Sequence, residues 1–242
     1  MKIFKDIPYS DIGHKNQILD VYIPECEEFP VFVYFHGGGL VVGSKDAEGM
    51  GKYLTEHNIA LVSADYRMYP NASYPDFVKD AAAVVGWVHK NIGEYGNCTK
   101  IFVGGSSAGG YLSMMLCFDK KWLAPYGINP AELGGFIHDA VQPTAHFNVL
   151  KEMGFDSKRV IIDETAPVYH IGEAESYAPM MILVATNDMQ NRYEQTLLLV
   201  STMKHFGYDM EKVDFRLLEG RHCIYDNFKL QELVTEFIEK TI

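Results

Sequence analysis

Gly104-Gly105-Ser106-Ser107-Ala108-Gly109-Gly110 is the stretch that decides how this chain reads. A short β-branched and aromatic run, Lys100-Ile101-Phe102-Val103, precedes it, and a helix-like stretch, Tyr111 to Leu116, follows. Strand, tight glycine turn and helix is the context that makes Gly105-x-Ser107-x-Gly109 a nucleophile elbow. Small residues are required because the two backbones pass close together in a sharp turn. Such a turn lifts one hydroxyl above the sheet, at the positive end of a helix, where a nucleophile and a developing oxyanion are both favoured. Two serines compete. Ser107 has glycine at −2 and +2, whereas Ser106 has Gly104 and Ala108, so Ser107 is the candidate nucleophile. No lysine follows the glycines, which argues against a phosphate-binding P-loop.

Outward from this turn, strand-like and helix-like runs alternate, the pattern of a mostly parallel sheet covered on both faces. Gln17–Ile23, Pro30–Phe35, Ile59–Ala64, Pro179–Ala185 and Val213–Leu218 read as strands. Gly49–His57, Phe77–Asn91, Arg192–Phe206 and Asn227–Ile238 read as helices, the second with apolar residues at helical spacing. Residues 120–177 are less regular. Gly135-Phe136-Ile137 with Ala140-Val141 suggests a strand, Ala145–Met153 a short helix, and the segment is long enough to supply a small lid. The 242 residues suit one α/β domain, residues 1–242.

Composition narrows the partners. A net charge of −11 argues against nucleic acid and against anionic membrane surfaces. No apolar run approaches the length of a membrane span, and the N-terminus shows no secretory pattern. Cys26, Cys98, Cys117 and Cys223 have no paired spacing. They read as reduced thiols of a cytoplasmic protein rather than a disulfide frame or zinc site. The oligomeric state is open, a homodimer included.

A serine nucleophile needs a base, and the base needs an orienting acid. In open α/β sheets both are sought just past the carboxyl ends of strands. In α/β-hydrolases the acid precedes the base in the chain. Asp188, after the strand ending at Ala185, is the candidate acid. Asp163 and Glu164 are its rivals but follow no comparable strand. His222, after the strand ending at Leu218 and close behind Gly220, is the candidate base. His138 and His146 read as able to line a pocket, and His57, His89 and His205 as solvated. His36-Gly37-Gly38-Gly39 directly follows an early strand. Its bare amides at Gly37 and Gly38, with that of Ala108, form a candidate oxyanion hole. His36 itself reads as structural.

With these segments in place, the chain resembles the α/β-hydrolase superfamily, and within it the hormone-sensitive-lipase-like esterases. The resemblance rests on His36–Gly39 with Gly43-Ser44, Asp65-Tyr66-Arg67 with Pro70 and Pro75, Gly104–Gly110, and Asp188 with His222. It implies a carboxylesterase acting on small-molecule esters of short acyl chain, with neither metal nor organic cofactor. Two departures stand out. Only about thirty residues precede the histidine-glycine strand, fewer than that group's N-terminal cap needs, and Ser106 stands where the group often has an acid. The compact pattern is also similar to small acetyl and feruloyl esterases and kynurenine formamidases. The same triad serves aryl-formamide or peptide hydrolysis, and a catalytically silent binding module is the alternative outside the enzymes.

Overall fold

The computed structural model describes residues 1–242. Nine strands form one sheet in the order β1-β2-β4-β3-β5-β6-β7-β8-β9. Their ranges are β1 Lys2–Pro8, β2 Ile18–Ile23, β3 Glu28–Phe35, β4 Ala60–Ala64, β5 Asn97–Ser106, β6 Gly135–Asp139, β7 Met180–Asn187, β8 Val213–Arg221 and β9 Ile224–Tyr225. The β4-β3-β5-β6-β7-β8 stretch is parallel throughout, and β1, β2 and β9 join it antiparallel at the edges. Six helices complete the fold: α1 Glu48–Glu56, α2 Asp76–Asn91, α3 Ala108–Phe118, α4 Phe147–Glu152, α5 Arg192–His205 and α6 Leu230–Thr241.

The central strands are apolar on both faces because both are covered. Alternation then sorts their side chains. Val31, Val33, Phe35 and Val103 pack with α2 and α3 on one face, and Phe32, Phe102, Leu61 and Leu183 with α1 and α6 on the other. Every residue of α3 is buried, which explains why the helix after the elbow is so apolar.

β3 is where the winding reverses, with β4 on one side and β5 on the other. A reversal of this kind opens a crevice at the carboxyl ends of the flanking strands, where α/β sheets bind ligands. Phe35 of β3 lies in register with Gly105 of β5. The histidine-glycine loop and the serine turn therefore leave the sheet side by side.

The expected elements are present, with shifted ends. β5 begins at Asn97 and runs through Ser106, and the last helix spans Leu230–Thr241 rather than Asn227–Ile238. β6 stops at Asp139, before Ala140-Val141. Two strands had no counterpart in the sequence reading. β1 is almost wholly exposed, so no apolar alternation marks it. β9 is only two residues long. No helix is long and apolar enough to cross a membrane.

Candidate active site

Ser107 occupies φ 54°, ψ −110°, a conformation that a non-glycine residue adopts only under constraint. Three contacts supply that constraint. The Ser107 amide donates to the Asp139 carbonyl at 2.7 Å, and its own carbonyl accepts from Tyr111 N at 2.9 Å. A Cβ on Gly109 would sit 1.9 Å from the Phe35 carbonyl oxygen, so the helix start is pressed against the end of β3.

The Ser107 hydroxyl lies 2.8 Å from His222 Nε2, and His222 Nδ1 lies 2.6 Å from Asp188 Oδ1. His222 and Cys223 form the two-residue loop between β8 and β9, closed by the pairs Gly220↔Tyr225 and Arg221↔Ile224. Gly220 has φ +143°, and a Cβ there would lie 2.2 Å from the Ile224 carbonyl oxygen, so the hairpin closes only around a glycine. Asp188 directly follows β7. Its oxygens also accept from the amides of Met189 at 2.6 Å and Ala185 at 3.4 Å. Burial opposes the Asp188 charge, but the His222 bond, the His222 charge and the two amides outweigh it and hold the carboxyl below its ordinary value.

The glycine loop runs beside the serine. A Cβ on Gly37 would lie 3.5 Å from Ser107 Cβ, and Gly38 and Gly39 have φ of +109° and +65°. Ala108 opens α3, so its amide is among the helix-start donors without an intrahelical acceptor. His36 anchors the loop. Its Nδ1 donates to the Gly37 carbonyl at 2.7 Å, its carbonyl accepts from Tyr66 Oη at 2.8 Å, and its ring stacks on Tyr66 at 4.5 Å. Asp65-Tyr66-Arg67 thus braces the glycine loop from behind. Arg67 in turn makes a two-pronged bond to buried Asp80 on α2, both prongs 2.8 Å.

Ser106 points elsewhere: its hydroxyl accepts from Tyr34 Oη at 3.2 Å and makes no bond to His222. Asp163 Oδ1 accepts from Thr165, at N and Oγ1, and the Glu164 carbonyl accepts from Tyr74 Oη. Neither bonds His222. His138 and His146 do not line the cavity around Ser107. Both are fully buried, and desolvation pushes each down to about 3. His138 bonds Ser113 Oγ at 2.8 Å, and His146 caps α4.

One group escaped the sequence reading. Asp139, at the end of β6, is buried beside the serine turn and accepts a short hydrogen bond from Tyr225 Oη. Desolvation raises its pKa, while hydrogen bonds from Ser106 and Tyr225 work against the rise. Its position at the carboxyl end of the strand next to β5 was a usable signal. A cavity of about 910 Å³ joins these parts. Met50, Val41, Phe147, Phe228 and Leu230 give it apolar walls, and Tyr34, Ser106, Asp139 and Tyr225 a polar side. Another cavity, of about 680 Å³, lies around the start of β5 and contains none of these residues.

The one grouping with metal-ligand chemistry is Asp119, His170 and Glu173, away from this cavity. Lys121 Nζ already neutralises Asp119 at 2.7 Å, and both His170 nitrogens face oxygens, of Glu173 at 3.1 Å and of the Glu164 carbonyl at 3.0 Å. These groups are therefore already engaged with one another and with Lys121. The four cysteines are free.

Comparison with known proteins matches residues 19–124 to the family model described as BD-FAE. Esterase LipI of Mycobacterium tuberculosis is 35% identical over 96 residues, 38% of this chain and 30% of that protein. The chain spans between 23% and 48% of the length of the curated relatives it matches first. Among solved structures, a truncated carbohydrate esterase from gut microbiota superposes with a TM-score of 0.81 at 15% identity, covering 100% of this chain and 96% of that one. A thermophilic esterase of Thermogutta terrifontis, solved with propionate bound, gives 0.74 at 22% identity, covering 99% and 93%.

Proposed function

We propose that this chain, which has the α/β-hydrolase fold, is a serine carboxylesterase cleaving small esters of short acyl chain. The observation that carries this reading is the hydrogen-bonded line Ser107–His222–Asp188, which opens beside the Gly37-Gly38 loop in one cavity. In the proposed reaction His222 Nε2 takes the Ser107 proton as Oγ attacks the ester carbonyl. Asp188 holds the imidazole with its proton on Nδ1 and stabilises the imidazolium. The amides of Gly37, Gly38 and Ala108 receive the negative charge that develops on the carbonyl oxygen. Each such donor is worth about 2.7–4 kcal/mol in the transition state. The imidazolium then protonates the leaving alcohol, and water, deprotonated by the same imidazole, releases the acid from the acyl-serine.

Support for a short acyl group comes from the polar side of the cavity. There Tyr225 bonds Asp139 and Tyr34 bonds Ser106, so that wall offers an alkyl chain little apolar surface against which to be buried. The test is hydrolysis of p-nitrophenyl acetate, butyrate and octanoate by the wild type and Ser107→Ala. Rates that fall with chain length and vanish in the variant are expected. Activity that survives in the variant overturns the nucleophile. Octanoate as the best substrate overturns the acyl limit. Inactivity of both proteins overturns ester hydrolysis in favour of an amide substrate or a silent binding module.

A further inference from the structure

Beyond Phe147 and Met189, which wall the candidate active site, lies a neighbouring cavity of about 520 Å³ that shares both residues. Its lining includes Lys158, Arg159 and Arg192 and contains no aspartate or glutamate. In a chain with 32 acidic and 21 basic residues that inversion is local and pronounced. Arg192 is the decisive member. It is 3% exposed, yet no carboxylate pairs with it. Its Nη1 has no hydrogen-bond partner, and Nη2 reaches only the Met189 sulfur, at 3.9 Å. Burial pulls the guanidinium down to about 10, with the charge of Asp188 acting in the other direction, so Arg192 stays cationic at neutral pH. Asp188 acts on Arg192 only through its field: no ion pair joins them, and the Asp188 oxygens bond His222, Met189 and Ala185.

A buried, unpaired guanidinium is costly to keep unless something anionic occupies the space beside it. Three further features fit an anion there. Arg192 opens the fourteen-residue helix α5, whose positive end faces the same region. Gln195 has its Oε1 engaged by Thr144 Oγ1, so what it has left to offer is an NH2 donor. Lys158 and Arg159 are exposed at the rim and stand in no ion pair.

We infer that this cavity is a subsite for a carboxylate carried by the substrate, so that the preferred ester bears a negative charge on the portion reaching past Phe147 and Met189. The inference rests on the ester-hydrolase reading above and adds the substrate's charge to it. Arg192 would make the buried contact, and Lys158 and Arg159 would draw the anion in from solvent.

Two matched pairs of esters test it: p-nitrophenyl valerate against mono-p-nitrophenyl glutarate, with the charge on the acyl side, and phenyl butyrate against 4-carboxyphenyl butyrate, with the charge on the alcohol side. In one pair the anionic ester is expected to be favoured about tenfold in kcat/KM, the scale of one charge-assisted contact. That ratio is expected to fall towards unity in Lys158→Gln/Arg159→Gln and at high salt. Neutral esters favoured in both pairs, or a ratio untouched by the double variant, would overturn it. If neither neutral ester is cleaved, the hydrolase reading has failed on its own. Calorimetric titration with glutarate then decides the subsite. Binding by the wild type that weakens in the double variant supports it, and no binding, or equal binding, rejects it.

Discussion

In the proposed reaction Asp188 has two separable duties, one chemical and one thermodynamic. Chemically, its Oδ1 fixes which His222 nitrogen carries the proton. In a serine protease triad the Asp→Asn change lowers kcat by about 10⁴-fold through the wrong imidazole tautomer. Asp188→Asn is accordingly expected to lower kcat on p-nitrophenyl acetate by 10³–10⁴-fold, on the order of that precedent, with KM nearly unchanged. Thermodynamically, its carboxyl is held below the ordinary value, so the folded state binds the proton less readily than the unfolded chain. The stabilisation is therefore complete above the unfolded carboxyl's pKa of about 3.9 and is lost as pH falls through the lower folded value. Melting curves across pH 2–6 should show a shallower acid decline in Asp188→Asn than in the wild type. An identical decline would mean that His222 does not hold the Asp188 charge.

At the scale of elements, the serine turn depends on backbone contact that no larger residue permits. A Cβ at Gly109 would fall 1.9 Å from the Phe35 carbonyl oxygen and 2.7 Å from that of His36, both rigid backbone atoms. Gly109→Ala must push α3 off β3. The expected outcome is a loss of about 3 kcal/mol or more, or failure to fold, seen as a lowered Tm or insoluble expression. Legibility follows the same physics. The candidate elbow, histidine-glycine loop and Asp188 were legible as positions because each follows a buried apolar run, and His222 because it follows the last long strand just behind a glycine; those signals are local. The parts that were not readable depend on partners remote in sequence. β1 is an exposed edge strand that exists through pairing with β2, and β9 is two residues held by β8. Asp139 meets Tyr225 across 86 positions of chain. The unpaired state of Arg192 likewise appears only once its neighbours are in place.

Across the whole molecule, the brace behind the glycine loop links the site to the core. Asp80 accepts four bonds at 2.8–2.9 Å, from Arg67 N, Nε and Nη2 and from Gln17 Nε2. Removing its charge leaves the largely buried Arg67 with only the more distant Asp76, at 4.0 Å, as counter-ion, and breaking a buried pair costs about 3–5 kcal/mol. For a chain of this size each kcal/mol lowers Tm by roughly 2–4 °C. Asp80→Asn is expected to melt roughly 10 °C lower and, because Tyr66 holds the His36 carbonyl, to lose ester hydrolysis before global unfolding. Coincident loss of activity and structure on heating would sever that link.

The winding order has a temporal side. Ser107 and the loop at Gly37-Gly38 come from β5 and β3, while the imidazole comes from the hairpin of β8 and β9, more than a hundred positions later. On the ribosome, the residues of the serine turn are therefore made well before His222, the imidazole that takes the proton in the proposed reaction. On the proposed reading, a chain made only as far as β7 holds its nucleophile and its acid strand but lacks the base that joins them.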